Sequence, residues 1–146
     1  MQVENIRKSE IVARLIEAIA ELLDIDEEDI HEEMSLAEEI GVDSLEMQDL
    51  FLMISNEYDI RFNLSKIIND IAVVLEFEKD SEPEQIFVKI EKCTGISFTK
   101  DNKDDFVKRV KEQNVGLLIK TILGYITISI LADTIINYLS GLWERR

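Results

Sequence analysis

The chain has 146 residues, a formal net charge of −15 and 46% hydrophobic residues, which is enough apolar material for one ordinary domain or for a small domain with a large insertion. Residues 1–62 hold 18 acidic residues against 4 basic ones, whereas residues 63–146 hold 13 against 12. An acidic field of this kind repels nucleic acid and anionic lipid surfaces and attracts proteins that display basic patches, so we expect transient protein partners and no nucleic acid.

The first predicted helix contains the apolar pattern of residues 11–22. Its apolar residues recur at steps of three and four, which predicts one inward-facing stripe made by Ile11, Leu15, Ile19 and Leu22. Charged residues recur from Glu4 through Arg14, a pattern unlike an apolar signal segment. We therefore expect a cytoplasmic protein.

The acidic stretch from Asp26 to Glu33 contains the chain's only histidine, His31. A serine hydrolase needs a base and oxyanion donors, and the Gly-x-Ser-x-Gly pattern is absent, so we predict no catalytic residues and no enzyme activity. The stretch lacks the ligand spacing and central glycine of a calcium loop, and Cys93 is the only cysteine. No metal site and no intrachain disulfide are predicted.

Ser44 lies in the run Gly41-Val42-Asp43-Ser44-Leu45-Glu46-Met47, where the acidic stretch gives way to an apolar helical pattern. Asp43 is the predicted helix cap, and Glu46, three residues on, is predicted to reach back to it. Ser44 then falls in the first turn with its hydroxyl pointing outward, where the helix dipole and free N–H groups favour an anion such as a phosphodiester. Taken alone, Asp-x-x-Glu indicates only the start of a helix. The helix's predicted inner stripe is Met47, Leu50, Phe51, Ile54 and Tyr58.

The central segment is predicted to be mainly helical. Residues 64–77 fit a helix, although residues 71–75 fit a short buried strand equally well. A second helix is predicted to follow a cap at Ser81 and to end before Gly95, and a third to run from Asp101 to about Gln113.

The stretch from Val115 to Trp143 is apolar but is interrupted by Lys120 and Asp133. Its longest uncharged run is shorter than the ~18 residues that a spanning helix needs. We therefore predict buried helix and no membrane span, with an inner stripe formed by Ile128, Leu131, Ala132, Ile135, Leu139 and Leu142.

Several segments, in the same order, resemble the acyl carrier proteins, whose 4′-phosphopantetheine arm is carried on the serine of a Gly-x-Asp-Ser-Leu motif. That motif is complete here. Residues 34–40 resemble the family's loop before the serine, and residues 5–23 its long first helix. Residues 50–60 are similar to its second helix and the turn after it, and residues 126–135 to its last helix. Residues 63–123 are the main departure.

The resemblance implies an all-α, acyl-carrier-like helical bundle with an inserted helical subdomain before the last helix. Residues 1–62 and 124–146 would form the bundle, and residues 63–123 would be a mainly helical segment packed on it. The arm, donated by coenzyme A through a phosphopantetheinyl transferase, would be attached to Ser44 between Asp43 and Leu45. Its thiol would carry acyl thioesters between acyl-transferring or synthase enzymes of fatty acid, lipid or polyketide-type synthesis. The acids expected to dock basic patches on these partners are Glu38, Glu39, Glu46, Asp49 and Glu57.

Two other functions fit the same sequence. The central segment, near neutral in charge, is compatible with a carrier-like interaction module that acts through its extra helices. An aminoacyl or peptidyl carrier is also compatible, although Leu45 after the serine favours acyl cargo. Ser55 and Asn56 are neutral where helices of this family are often acidic, and Arg61 adds a positive charge after the helix, which indicates a narrower or different partner set.

Overall fold

The computed structural model describes residues 2–141, with side chains from Arg7 onward. Between α1 and α2 lie a 3₁₀ turn (Glu27–Asp29) and a π turn (Leu36–Ile40). Within residues 2–141 the only β-type pairing is an isolated bridge between Ser35 and Thr127, so the predicted all-α class is confirmed. The α-helices are α1 (Gln2–Leu23), α2 (Ser44–Tyr58), α3 (Leu64–Phe77), α4 (Pro83–Thr94), α5 (Lys100–Arg109), α6 (Val115–Gly124) and α7 (Ile128–Ser140).

The first and last helices lie side by side. α7 packs against α1, and α1 also contacts α2. The predicted stripes point inward, because the side chains of Ile11, Leu15 and Ile19 in α1 are buried, as are those of Ile128, Leu131 and Ile135 in α7. Lys8 and Asp133 link the two helices at their surface, with 3.1 Å between Nζ and Oδ1. Leu142, predicted for the α7 stripe, lies outside the described residues.

α3 to α6 pack mainly on one another. α3 contacts α4 and α6, and α4 contacts α5. Phe87 is the centre of an aromatic cluster, with ring centroids 5.0 Å from those of Phe98 and Phe106 and 6.2 Å from that of Tyr125. Residues 64–77 form a helix, as predicted, and the strand alternative is wrong. Their buried residues recur at three- and four-residue steps: Leu64, Ile67, Ile71 and Leu75.

Two predicted helix boundaries in this part are wrong. The cap of α4 is Glu82, whose backbone is extended at ψ 139°, because Pro83 follows it and a residue before proline is disfavoured from the helical conformation. α5 is capped by Thr99 in a capping box with Asn102, and it ends at Arg109, short of Gln113. The chain turns after Arg109 because the next helix, α6, has its own cap at Asn114 and packs back on α3.

The apolar stretch 115–143 is divided between α6 and α7, with a break at residues 125–127. The backbone at this break pairs with the loop before α2. Leu36 N–H donates to Ile126 O at 3.0 Å, and Ser129 N–H donates to Glu32 O at 2.9 Å. Over residues 2–141, every helix is too short or too polar to cross a membrane.

Candidate attachment site at the start of α2

The π turn fixes the chain just ahead of α2. Ser35 caps the turn, since its hydroxyl accepts a hydrogen bond from Glu38 N–H at 3.2 Å, and Ile40 N–H donates to Ser35 O at 2.9 Å. Gly41 ends the turn at φ 90°, a left-handed conformation that glycine adopts without steric cost. Val42, the residue after Gly41, is buried and anchors the backbone there. The backbone that leads to Ser44 is therefore fixed on both sides of Gly41.

A capping box starts α2, as predicted. Asp43 Oδ1 accepts a hydrogen bond from Glu46 N–H at 2.8 Å, and Glu46 Oε1 accepts one from Asp43 N–H at 3.0 Å. Ser44 is the first residue of the helix and is exposed, whereas Met47 in the same turn is buried. Among the described residues, none forms a hydrogen bond with the Ser44 hydroxyl. The hydroxyl is therefore open to modification.

The surroundings of Ser44 fit a phosphodiester with a long substituent. A Cβ atom added at Gly41 would meet nothing within 4 Å, so the space beside this glycine of the approach to α2 is open. The first N–H groups of a helix have no intrahelical acceptors and favour an anion. Leu45 exposes 72% of its surface beside the serine. The predicted site residues Asp43, Ser44 and Leu45 thus share one accessible helix start.

Three of the five predicted docking acids already accept hydrogen bonds within the chain. Glu39 Oε1 accepts from Ser35 N–H at 2.8 Å, and Glu46 belongs to the capping box. Glu57 binds the guanidinium of Arg14, whose Nε lies 3.0 and 2.8 Å from the two carboxylate oxygens. This hydrogen bond raises the pKa of Arg14 above its ordinary value. These bonds fix the positions of the three carboxylates, and the sequence pattern indicated this only for Glu46.

The other two acids are Glu38 and Asp49, and both are exposed. The Glu38 carboxylate lies over Gly124, because a Cβ atom added there would be 2.5 Å from Glu38 Oε2. Asp49 lines a groove between α1 and α2, and the described residues provide it with no ion pair. Glu38 therefore connects the site loop with the end of α6, and Asp49 is the least constrained acid of the set.

Ser55 has a structural role that the sequence did not reveal. Its hydroxyl donates to Phe62 O at 2.6 Å and accepts from Phe62 N–H at 3.2 Å. The Phe62 ring stacks on Phe51 with centroids 4.4 Å apart and meets Tyr138 of α7 edge-on at 5.3 Å. The neutral residue at position 55 therefore fixes the chain that returns from α2 toward α3.

His31 is exposed, and its backbone N–H, not its ring, is engaged, with Met34 Sδ at 3.2 Å. No hydrogen bond joins it to Ser44 in the described part of the chain. Across residues 2–141, no three His, Cys, Asp or Glu side chains are grouped so that they could hold a metal ion.

An exposed serine at the capped start of a helix, within an acidic all-α bundle, is the arrangement expected of a carrier-type modification domain. Residues 13–79 match the sequence profile of the family described as phosphopantetheine attachment site. These residues form a phosphopantetheine-binding domain of the acyl-carrier type, and this domain is the site of covalent 4′-phosphopantetheine attachment. The match includes α2 and α3 and ends before α4. Searches of curated proteins and of solved structures gave no significant match.

Proposed function

We propose that this protein is an acyl carrier protein that bears its 4′-phosphopantetheine arm on Ser44. It would shuttle acyl thioesters between partner enzymes of fatty acid, lipid or polyketide-type synthesis in the cytoplasm. The observation that carries this proposal is the exposed Ser44 at the first position of α2, inside the matched segment and between the capping Asp43 and the exposed Leu45. Leu45 favours acyl over aminoacyl or peptidyl cargo.

The chain supplies a nucleophile and an address, and partner enzymes supply the catalysis. In arm attachment, the Ser44 oxygen would form a bond to the phosphorus of coenzyme A that bears the pantetheine. The bond from that phosphorus to the bridging oxygen would break, adenosine 3′,5′-bisphosphate would leave, and the serine proton would pass to a base of the transferase. The bound arm supplies a thiol for thioester formation. The residues of this chain hold Ser44 outward and exposed through the Asp43–Glu46 capping box.

The acidic surface near Ser44 is proposed to dock basic partners. A single exposed ion pair contributes only about 0.2–1 kcal/mol, so no one acid would make binding tight. Together the acids would speed encounter and still permit rapid release, which a shuttle requires. The proposed docking acids remain Glu38, Glu39, Glu46, Asp49 and Glu57.

We also propose that residues 1–62 and 124–146 form the carrier bundle and that residues 63–123 are an insertion packed on it. The packing of α7 on α1 supports this division, and the aromatic cluster around Phe87 packs on the bundle part through Tyr125. The family match extends past residue 62 and includes α3, so of the residues proposed as the insertion only α4 to α6 lie wholly outside the matched segment.

The decisive experiment is intact mass spectrometry after incubation with coenzyme A and a broad-specificity phosphopantetheinyl transferase. The wild type is expected to gain the mass of one phosphopantetheine, and Ser44→Ala is expected to gain none. The matched control is Ser65→Ala, which removes an exposed helical serine elsewhere and should still be modified. A wild type that stays unmodified with its fold intact would contradict the proposal.

An interaction module is the second candidate, and one observation favours it. Val73 and Phe77, one turn apart on α3, expose 45% and 80% of their surfaces. Exposed apolar side chains at this spacing suit a partner helix or groove. If this candidate is correct, Ser44→Ala keeps the biological role and disruption of residues 63–123 abolishes it. An acyl carrier gives the reverse result for Ser44→Ala.

A further inference from the structure

Two grooves flank α2, and their charges differ. The groove on the α1 side has a volume of about 400 Å³ and is lined by two acids, Glu21 and Asp49, together with Arg14, which already pairs with Glu57. The groove on the α3 side has a volume of about 490 Å³ and has no acidic residue in its lining. It carries two cations, Arg61 and Lys66.

Positive charge is scarce in this part of the chain. Residues 1–62 contain only 4 basic residues against 18 acidic ones. Two of the four are committed elsewhere, since Lys8 pairs with Asp133 and Arg14 pairs with Glu57. Arg61 is exposed, and within residues 2–141 the structure assigns it no ion pair. Its charge is therefore available to an anion that enters the α3-side groove.

The apolar wall of this groove is fixed by the contacts around Phe62. The stacked rings of Phe51 and Phe62 and the two hydrogen bonds between Ser55 and Phe62 hold it in place. Leu52, also in the lining, leaves 61% of its surface in water. An aliphatic chain laid along Leu52 would bury this exposed apolar surface, which is favourable.

The groove begins close to the proposed attachment residue. Gln48 lines it and lies one helical turn after Ser44, roughly 6 Å along the helix axis. Ser55, also in the lining, lies roughly 16 Å from Ser44 along the same axis. Arg61 and Lys66 also line a further groove that extends toward Tyr138. The two cations therefore lie where the α3-side groove meets this further groove. A flexible arm anchored at Ser44 would thus enter at Gln48.

We propose that this groove holds an acyl cargo that ends in a carboxylate, with its aliphatic part along Leu52 and its terminal anion at Arg61 and Lys66. The inference rests on the proposed function, because the cargo reaches the groove only when it is tethered to Ser44. A guanidinium fork matches a carboxylate in a two-bonded geometry, and Lys66 adds a second positive charge although it also pairs with Asp70 at 2.8 Å. The α1-side groove, with its two acids, would repel the same cargo.

The test compares two cargoes of equal chain length, octanoyl and its dicarboxylic counterpart suberoyl. Each is loaded onto Ser44 from its coenzyme A thioester by the transferase, and intact mass confirms the loading. The rate at which hydroxylamine cleaves the thioester is then measured on the loaded protein and on the free coenzyme A thioester. The protection factor is the rate for the free thioester divided by the rate for the loaded protein. The suberoyl cargo is expected to be protected about threefold to fivefold more than octanoyl, since an exposed ion pair contributes little.

Arg61→Gln is expected to remove the preference for suberoyl, whereas Arg7→Gln, which changes an exposed arginine of α1, is expected to keep it. Raised salt should weaken the preference in the wild type because it screens exposed charges. Equal protection of the two cargoes, or better protection of octanoyl, on a correctly loaded carrier overturns the inference and leaves the proposed function standing. Failure of the transferase to load either cargo overturns both.

Discussion

The hydroxyl of Ser35 donates a 2.7 Å hydrogen bond to the carbonyl oxygen of Gly124 and thereby joins the loop ahead of Ser44 to the end of α6. The same hydroxyl accepts a hydrogen bond from Glu38 N–H, so one buried side chain caps the π turn and also links two parts of the chain that lie 89 residues apart. Because the π turn leads into α2, this bond ties the position of α2 to that of α6.

Ser35→Ala is expected to lower the free energy of unfolding by about 1–3 kcal/mol. It removes a helix-type cap and leaves the buried Gly124 carbonyl without its donor. Urea unfolding followed by circular dichroism measures the change. Ser65→Ala, at an exposed position of α3, is the control and should shift stability by less than about 0.5 kcal/mol. Equal effects of the two substitutions would show that the Ser35–Gly124 bond contributes nothing.

Asp43→Ala and Asp43→Asn separate the hydrogen bond of the α2 cap from its charge. Alanine removes the acceptor for Glu46 N–H and is expected to cost about 1 kcal/mol of stability, whereas asparagine is as good a cap as aspartate and should cost little. Urea unfolding gives the stabilities, and intact mass over time gives the rate of arm attachment. If asparagine destabilises the protein as much as alanine does, the charge and not the hydrogen bond carries the effect.

The local part of the site could be predicted from the sequence because its information lies within a few residues. Asp43 and Glu46 are three residues apart, and a spacing of three is what a capping box requires. The buried stripes of α1, α2 and α7 follow from the helical period alone, since residues three and four apart share a face. The order of the segments around Ser44 indicated the resemblance to acyl carrier proteins. The family match confirms this resemblance for residues 13–79.

The tertiary contacts of the site could not be predicted. The Ser55–Phe62 bonds depend on how the chain returns after Asp59, which adopts a left-handed conformation at φ 54°. The Ser35–Gly124 bond requires residues 89 apart to meet. The predicted cap of α4, Ser81, is one residue too early, because Pro83 keeps the residue before it, Glu82, out of the helical conformation and so makes Glu82 the cap.

Glu57→Gln and Asp49→Asn are expected to differ in stability although each removes one negative charge. Glu57→Gln breaks the ion pair with Arg14 and should cost about 0.5 kcal/mol, whereas Asp49→Asn breaks no ion pair of the described residues and relieves repulsion in an acidic domain. Urea unfolding at low and high salt tests this expectation. Salt screens both the Arg14–Glu57 ion pair and the repulsion at Asp49, so the difference in stability between the two variants should narrow at high salt. An Asp49→Asn protein that is as unstable as Glu57→Gln would contradict the assignment.

The same two variants should slow association with a basic transferase to similar degrees. Electrostatic potentials add, so the loss of one unit of negative charge near α2 weakens long-range attraction whether or not the carboxylate was paired. Stopped-flow association rates at low ionic strength provide the measurement. A loss confined to one of the variants would point to a direct contact with that side chain rather than to steering.

The hydroxyl of Tyr125 donates to Asp105 Oδ2 at 2.6 Å, and Arg109 Nε donates to the same oxygen at 2.8 Å. Burial, the hydrogen bond to Asp105 and the charge of Asp105 all raise the pKa of Tyr125. Burial of Asp105 acts to raise the pKa of its carboxyl, but the hydrogen bonds from Tyr125 and Arg109 hold it below its ordinary value. The pair therefore favours neutral tyrosine beside ionised aspartate over a wide pH range.

Tyr125→Phe is expected to cost about 1 kcal/mol of stability at neutral pH, because it removes the hydrogen bond to Asp105. In the unfolded chain tyrosine loses its proton near pH 10, whereas folded Tyr125 retains it to higher pH, so the stability it provides is present below about pH 10 and is lost as pH rises through the folded pKa. The difference in stability between wild type and Tyr125→Phe should therefore shrink above about pH 10. Urea unfolding of both proteins from neutral to alkaline pH measures it.

A double-mutant cycle with Asp105→Asn assigns this effect to the pair. The free energy lost in Tyr125→Phe should be smaller in the Asp105→Asn background, because the charged acceptor is already gone. Coupling of about 0.5 kcal/mol or more is expected for residues in direct contact. The opposite result has two parts: the stability losses of Tyr125→Phe and Asp105→Asn simply add, and the effect of Tyr125→Phe still decreases at alkaline pH in the Asp105→Asn background. In that case the raised pKa of Tyr125 comes from burial alone and not from Asp105.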